Sequence, residues 1–475
     1  MIYSLSSFIS PGTEAGFLNQ LLGIVLFLFL ALSVYTIITK YLKDIYDNSF
    51  ILVSSLVIVV FLVFSFYFLS ALSYKLYFLG LVLSLVCALG LYHPAIAIGN
   101  TVSFLILRPW ELISDEDSLM ILPRGVFLLF IMSFIIHCIR TKKIRINTNK
   151  YQLLFVGLGL WVFLSTLVSG HIAEAQSEFF EAYLKSLVLG LLIFQGVNTD
   201  EDYEYMLQSI LVAVFGVSLF ALINTFFIID GDRLEGRGAI QNANDLAAIL
   251  IFAVPMSLKS ILRKQVKPLE WFFSGFMLIA LALGVWKAQS RAAYLALMAM
   301  FGSHLVYRFR ANRKVLMSLS AVAIVGVAIV SQLSLGRDTS DLDESKMNRL
   351  GYWKAGISMA LRNPALGVGF TQFPNNYQKY GAADFTEHGK RTAHSSWVLL
   401  VAEAGFPALI LVGLLFFYAL KKAWFNMKVA PELLLALVGY GVCMTFLSHI
   451  YAIYPYVLFA LVLSYPDQSD RYNKV

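Results

Sequence analysis

The chain has 475 residues, 59% of them hydrophobic and only 14% charged, which is more apolar side chain than one globular core can bury. A soluble enzyme is thereby excluded, and the net charge of +7 is no argument for nucleic acid, because the cations fall mainly in short loops between apolar runs, where membrane insertion explains them. The three cysteines, Cys87, Cys138 and Cys443, lie in or beside apolar runs at a spacing that suits neither a disulfide framework nor a zinc site.

Apolar runs of about 16 to 25 residues recur along almost the whole chain, about 14 in all, each at or near the length that crosses a hydrocarbon core. The expected fold is therefore an all-α integral membrane protein, a polytopic bundle of about 14 transmembrane helices. Residues 1–475 read as a single transmembrane domain. The opening stretch MIYSLSSFISPGTEA has no basic n-region and no clear cleavage site, so insertion by the first true span is expected, not a removable signal peptide.

In chain order, the loops at 140–150 (RTKKIRINTNK), 262–270 (LRKQVKPLE), 307–314 (YRFRANRK) and 421–428 (KKAWFNMK) are short and basic, which makes them cytoplasmic by the positive-inside rule. Alternation from these anchors sends 108–124, 171–185, 233–245, 287–291 and everything from about 334 to 394 outside. The acidic loop at 199–206 (TDEDYEYM) falls inside, which the rule tolerates because acids contribute little to orientation. The region 334–394 is the one long hydrophilic insertion, a large periplasmic loop subdomain before the last spans. Within it, Leu350, Trp353, Ile357 and Leu361 recur at helical spacing, Asp343 and Ser345 are candidate caps, and Asn363-Pro364 ends the run. This reads as an amphipathic helix against the membrane or the bundle, followed by a glycine turn and irregular polar chain up to His394.

Several residues at the outer face could carry chemistry. Arg233 and Arg237 precede NANDLAAIL, where Asn244 or Asp245 is a candidate N-cap for the next span. Guanidinium groups beside the free N–H groups of a helix start suit a phosphate, although the same arginines could reach lipid headgroups or pair with Asp232 and Glu235. Arg291 opens a span, where the macrodipole opposes it and an anion or a neighbouring carboxylate would compensate. His394, at the start of another span, is a candidate base or a helix-start residue, and Glu403 is an acid inside an apolar run. The DLD at 341–343 resembles a metal-binding carboxylate pair but stands where it would cap the following helix, and the GVG at 367–369 lacks the strand and helix of a dinucleotide fold. His388 and His394, in irregular chain, do not aim at one metal, so no metal and no cofactor is expected.

Taken in order, RGAIQNAND from Arg237 to Asp245, SRAA from Ser290 to Ala293, Arg349 with Trp353, NPALGVGF from Asn363 to Phe370 and HSSWVLLVAEAG from His394 to Gly405 resemble the O-antigen ligase and O-antigen polymerase superfamily, over roughly residues 205–465. The resemblance implies a multi-pass glycosyltransferase of the bacterial inner membrane, active on its periplasmic face. It would move a glycan from an undecaprenyl diphosphate carrier to an acceptor hydroxyl, with inversion and without metal. It further implies that Arg237 and Arg291, with Arg349 as a candidate third ligand, bind the diphosphate and that His394 deprotonates the acceptor; Glu403 is a candidate to orient a partner. Where many relatives have His-Asn, this chain has His394-Ser395. The late outer loop favours an O-antigen ligase acting on lipid A core. The alternatives are an O-antigen or exopolysaccharide polymerase extending a glycan end, a protein O-oligosaccharyltransferase and, from another class, a membrane transporter, against which the collection of charges at the outer interface argues.

Overall fold

The computed structural model describes residues 94–108, 149–229, 242–262, 268–312, 339–381 and 391–466, with isolated positions between them. Residues 93–107 and 134–475 make one compact unit, to which the helices below belong; the other unit, 1–92 and 108–133, lies almost wholly outside the described residues. In chain order the helices are α1 (Pro94–Leu107), α2 (Lys150–Thr166), α3 (Ile172–Glu178), which runs through a π turn (Phe179–Tyr183) into α4 (Leu184–Gly196), and α5 (Asp200–Ile223). There follow α6 (Ala243–Leu262), α7 (Pro268–Ala288), α8 (Arg291–Arg308), α9 (Thr339–Arg362), α10 (Phe373–Tyr380), α11 (Ser396–Phe425), α12 (Pro431–Phe446) and α13 (Ile453–Ser464).

All regular structure among the described residues is helical, as a bilayer requires of a chain that must satisfy its backbone within each span. Five of these helices are long and apolar enough to cross it, namely α3 through α4, α5, α6, α7 and α11, while α1, α2, α12 and α13 are shorter apolar helices. The remaining spans expected from the sequence fall outside the described residues or on helices that do not meet that length and hydropathy.

Burial sorts the helices into centre and rim. From Leu246 to Ser257 α6 is buried on every side, and so is α13 from Tyr454 to Leu463, so both stand at the centre. On the rim, α2 exposes Leu153, Val156, Leu160 and Leu164 as one stripe, α7 exposes Phe272, Phe276, Ile279 and Leu283, and α11 exposes Ile410, Leu414 and Phe417. Apolar stripes of this extent suit lipid and not water.

The two ends of the bundle gather the loops that alternation assigns to opposite faces. At one end the segments 233–234 and 287–291, the start of α6, the start of α11 and residues 447–452 meet, through bonds described below. At the other end Thr199 and Asp202 form a reciprocal cap on α5, with Asp202 N donating to Thr199 Oγ1 at 3.1 Å and Thr199 N to Asp202 Oδ2 at 2.9 Å. Lys259 there pairs with Glu204 and, at 2.8 Å, with the buried Glu432, which also accepts the Tyr203 hydroxyl at 2.8 Å. The acidic 199–206 loop is thus explained: three of its acids sit in a first helical turn and a fourth neutralises a lysine.

The outer segment departs from the expectation in two ways and narrows it in a third. First, α9 begins at Thr339, so Asp343 and Ser345 lie within the helix and not at its start. Second, of the two surroundings expected for the stripe the bundle is not the one: Leu350, Ile357 and Leu361 are exposed and Trp353 is half-buried, whereas Tyr352, Ala355, Met359 and Ala360 are buried in a helix that packs on α10 and α11. The apolar stripe is therefore left for lipid, and small residues set the close approach to the bundle. Third, the stretch expected to be irregular contains α10, started by Pro374 and anchored by buried Phe373 and Tyr377.

The NPALGVGF and AEAG motifs interlock. Pro407 has no N–H to give the Glu403 carbonyl, and α11 breaks at Gly405, with φ 76° and ψ −179°. The freed groups are all taken: Val368 N donates to Ala402 O at 2.8 Å, Gly369 N to Glu403 O at 3.1 Å, and Phe406 N to Pro364 O at 2.9 Å. From α2, Ser165 Oγ donates to Glu403 O at 2.6 Å and Trp161 Nε1 to Ala404 O at 3.1 Å. A Cβ at Gly367 or Gly405 would collide with the opposing backbone, so both positions demand glycine by φ and by space. Irregular backbone at this depth is tolerated because every one of these polar groups has a protein partner.

Candidate active site

The start of α11 is built by three consecutive polar residues. Ser395 is its N-cap, accepting from Val398 N at 3.5 Å. Asn and Ser rank together as N-caps, so the Ser395 that replaces the more usual asparagine keeps this job. Ser396 donates to Leu447 O at 2.6 Å and accepts from His449 N at 2.9 Å, tying the helix start to the segment between α12 and α13. His394 precedes them with φ 48°, a left-handed conformation that turns it out of the helix direction. Its ring faces Tyr352 of α9, with centroids 5.9 Å apart.

Arg349 stands one turn before Tyr352 on α9 and is half-buried. The His394 imidazole is held below its ordinary pKa, first by burial and then by the positive charges of Arg349 and Arg391, with Asp245 opposing them. A ring so placed is neutral at pH 7 and able to take a proton. The structure therefore brings His394 and Arg349 together.

Arg291 is the first residue of α8, and Ser290 before it is an N-cap in position but makes no capping bond. Ser290 Oγ is buried and has no hydrogen-bond partner among the described residues. A helix start with a buried hydroxyl unused beside a guanidinium is suited to an oxyanion. Arg233 clamps this region to α6: its Nε donates to Ala288 O at 2.8 Å, its Nη2 donates to Asn244 Oδ1 at 3.0 Å, and Leu234 N donates to Lys287 O at 3.0 Å. Arg237 lies outside the described residues, as do the expected partners Asp232 and Glu235.

The first turn of α6 also differs from expectation. Asn242 acts as the cap, accepting from Asn244 N at 2.8 Å through its side chain and from Leu246 N at 3.0 Å through its carbonyl. Asn244 and Asp245 are consequently within the helix, and their side chains are released for other partners. Asp245 Oδ1 meets His449 Nε2 at 2.9 Å, and His449 Nδ1 meets the Tyr440 hydroxyl at 2.9 Å. His449, Tyr440 and this use of Asp245 were not found from the sequence. The one signal available was a histidine between two apolar runs at the outer face.

Glu403 is buried within α11, where its Oε1 accepts from Phe373 N at 2.9 Å. It therefore secures the turn between the NPALGVGF segment and α10. Residues 341–343, the DLD stretch, fall in the first turns of α9, and the GVG stretch forms the turn locked to α11.

Residues 276–413 match the family model of the O-antigen ligase. The matched stretch runs from within α7 into α11 and so contains Arg291, Arg349, His394 and Glu403, while Arg237, Asp245 and His449 fall outside it. It supports the O-antigen ligase superfamily and, at that level, a membrane-bound enzyme of the glycosyltransferase kind with a ligase-like function. No curated protein matches the chain.

Proposed function

We propose that this protein transfers a glycan from an undecaprenyl diphosphate carrier to an acceptor hydroxyl on the periplasmic face of the bacterial inner membrane, as an O-antigen ligase does with lipid A core. The observation that carries the reading is the half-buried His394 beside Arg349 inside the matched stretch, at the bundle end opposite the basic loops. That end is periplasmic on the positive-inside rule.

In the reaction the acceptor hydroxyl gives its proton to His394. The oxygen's electron pair forms the new bond to the anomeric carbon from the face opposite the carrier, and the carbon–oxygen bond to the diphosphate breaks with its pair on the leaving group. Charge grows on the diphosphate as that bond breaks. Arg291, the α8 start with Ser290, and Arg349 are assigned to stabilise it, and Arg237 joins them on the resemblance alone. Preplaced guanidinium groups supply the charge stabilisation that a metal provides elsewhere, so the mechanism requires none.

The test is the surface-glycan gel profile of a strain lacking the gene. A ligase is indicated by polymer retained on the lipid carrier with every capped species lost. Retention of single-repeat caps would replace the ligase with a polymerase, and an unchanged profile would remove both.

A further inference from the structure

His394 is not the only histidine at the outer end of the bundle. The carboxylate of Asp245 accepts only, so His449 Nε2 carries the proton it shares with Asp245. In the neutral ring Nδ1 is then an acceptor, and the Tyr440 hydroxyl donates to it at 2.9 Å. The run from Tyr440 through His449 to Asp245 has one direction and ends on a fixed carboxylate. His449 is itself fixed, because its backbone N–H donates to Ser396 Oγ at 2.9 Å and its side chain is almost wholly buried. Ser396 belongs to the same helix start as His394. Hence the first turn of α6, the 447–452 segment and the start of α11 are tied together around His394.

We propose that Asp245, positioned by His449 and Tyr440, is the counter-charge for the His394 imidazolium that forms when the acceptor hydroxyl loses its proton. The proposal rests on the reading of His394 as base and adds two positioning residues to it. It answers a difficulty that reading leaves: among the described residues the charged groups acting on His394 are Arg349 from α9, Arg391 from its own loop and Asp245 from α6, so two of these three oppose protonation. Of the three, Asp245 favours it. Without that carboxylate, a base flanked by two guanidinium groups would be a poor proton acceptor. With it, the arginines can attend to an anion while the imidazole still takes the proton. Asp245 touches no reacting atom in this scheme, and His449 acts only through Asp245.

The titration of His394 can be read without any glycan. Carbethoxylation by diethyl pyrocarbonate requires the neutral ring, so its rate at His394, followed by peptide mass spectrometry across pH in the full-length detergent-solubilised protein, gives a midpoint. Asp245→Asn, which keeps shape and loses charge, is expected to lower that midpoint, because the charge that favours the imidazolium is removed. His449→Phe should lower it in the same direction, and His449→Gln, whose amide can still donate to Asp245, should restore most of it. In transfer assays Asp245→Asn should reduce kcat by about tenfold or more with the donor KM unchanged. An Asp245→Asn midpoint equal to wild type would overturn the proposal, and so would a loss confined to donor KM. Failure of the base reading shows separately: if His394→Ala transfers normally while Asp245→Asn still lowers the midpoint of the His394 that it retains, the base is removed and the pairing of Asp245 with His394 stands.

Discussion

Gly405 offers the sharpest test of how the outer segment is held. Its φ of 76° and ψ of −179° belong to a region that only glycine occupies freely, and forcing another residue there costs about 1 to 3 kcal/mol. A Cβ would also collide with the backbone of Ala365 and Pro364, and the strand of chain that carries them cannot retreat without stretching the Phe406 N to Pro364 O bond of 2.9 Å and the Val368 N to Ala402 O bond of 2.8 Å. Losing one or two such bonds adds about 0.5 to 1.5 kcal/mol each, so Gly405→Ala should destabilise the protein by about 1.5 to 6 kcal/mol. Gly413 on the same helix is the control: nothing lies within 4 Å of its Cβ position, so Gly413→Ala should be neutral or stabilise by up to about 1 kcal/mol. Thermal unfolding in detergent, followed by a thiol-reactive or intrinsic fluorescence probe, separates the two. Equal midpoints for Gly405→Ala and wild type, with transfer retained, would refute the interlock as the element that holds the 364–372 turn.

Three further outcomes are expected. His394→Ala should cut turnover by about a hundredfold or more with donor affinity almost unchanged. In the wild type, activity should fall as pH drops through a value below the ordinary histidine pKa, because burial, Arg349 and Arg391 together outweigh Asp245; His394→Ala should lose that acid limb, and a limb that persists would assign it to another group. Arg291→Lys should weaken donor binding as well as turnover, measured as KM and kcat with lipid-linked glycan, since an ammonium cannot reproduce bidentate contact with phosphate oxygens; unchanged donor KM would remove Arg291 from the diphosphate site. With Tyr380→Cys, a membrane-impermeant thiol reagent should label spheroplasts from the periplasmic side, and labelling only after the inner membrane is opened would invert the topology.

All but one of the legible parts of the site share one property. Arg291, His394 and Glu403 are charged or titratable residues at the ends of apolar runs or within them, where an ionisable group stands out against its surroundings, whereas Arg349 lies in the hydrophilic insertion and was marked by the family resemblance alone. The residues that were missed act across the chain. Asp245 looks like a helix cap because capping is local, and Asn242 takes that task only once the actual first turn is known. His449 lies 204 positions from its partner Asp245, and no local pattern announces such a pair. The stripe of α9 was found, but not its direction. Periodicity shows that Leu350, Ile357 and Leu361 share a face, and cannot say that the bundle prefers the opposite face with its small residues Ala355, Gly356 and Ala360.

By itself the sequence determined the membrane class, the helical architecture and the two groups of loops, because hydrocarbon thickness, backbone satisfaction and loop charge act on contiguous residues. Gly405 and Pro407 break the helix of one of those apolar runs. What those two breaks are for was decided only by tertiary structure: the carbonyls they release are claimed by the 368–369 turn and by Trp161 and Ser165 of α2. The same holds at the candidate site. Whether His394 faces lone arginines or an arginine pair balanced by a held carboxylate depends on how α6, α9, α11 and the 447–452 segment converge, and Coulomb interactions depend on distance in space, which sequence order does not carry.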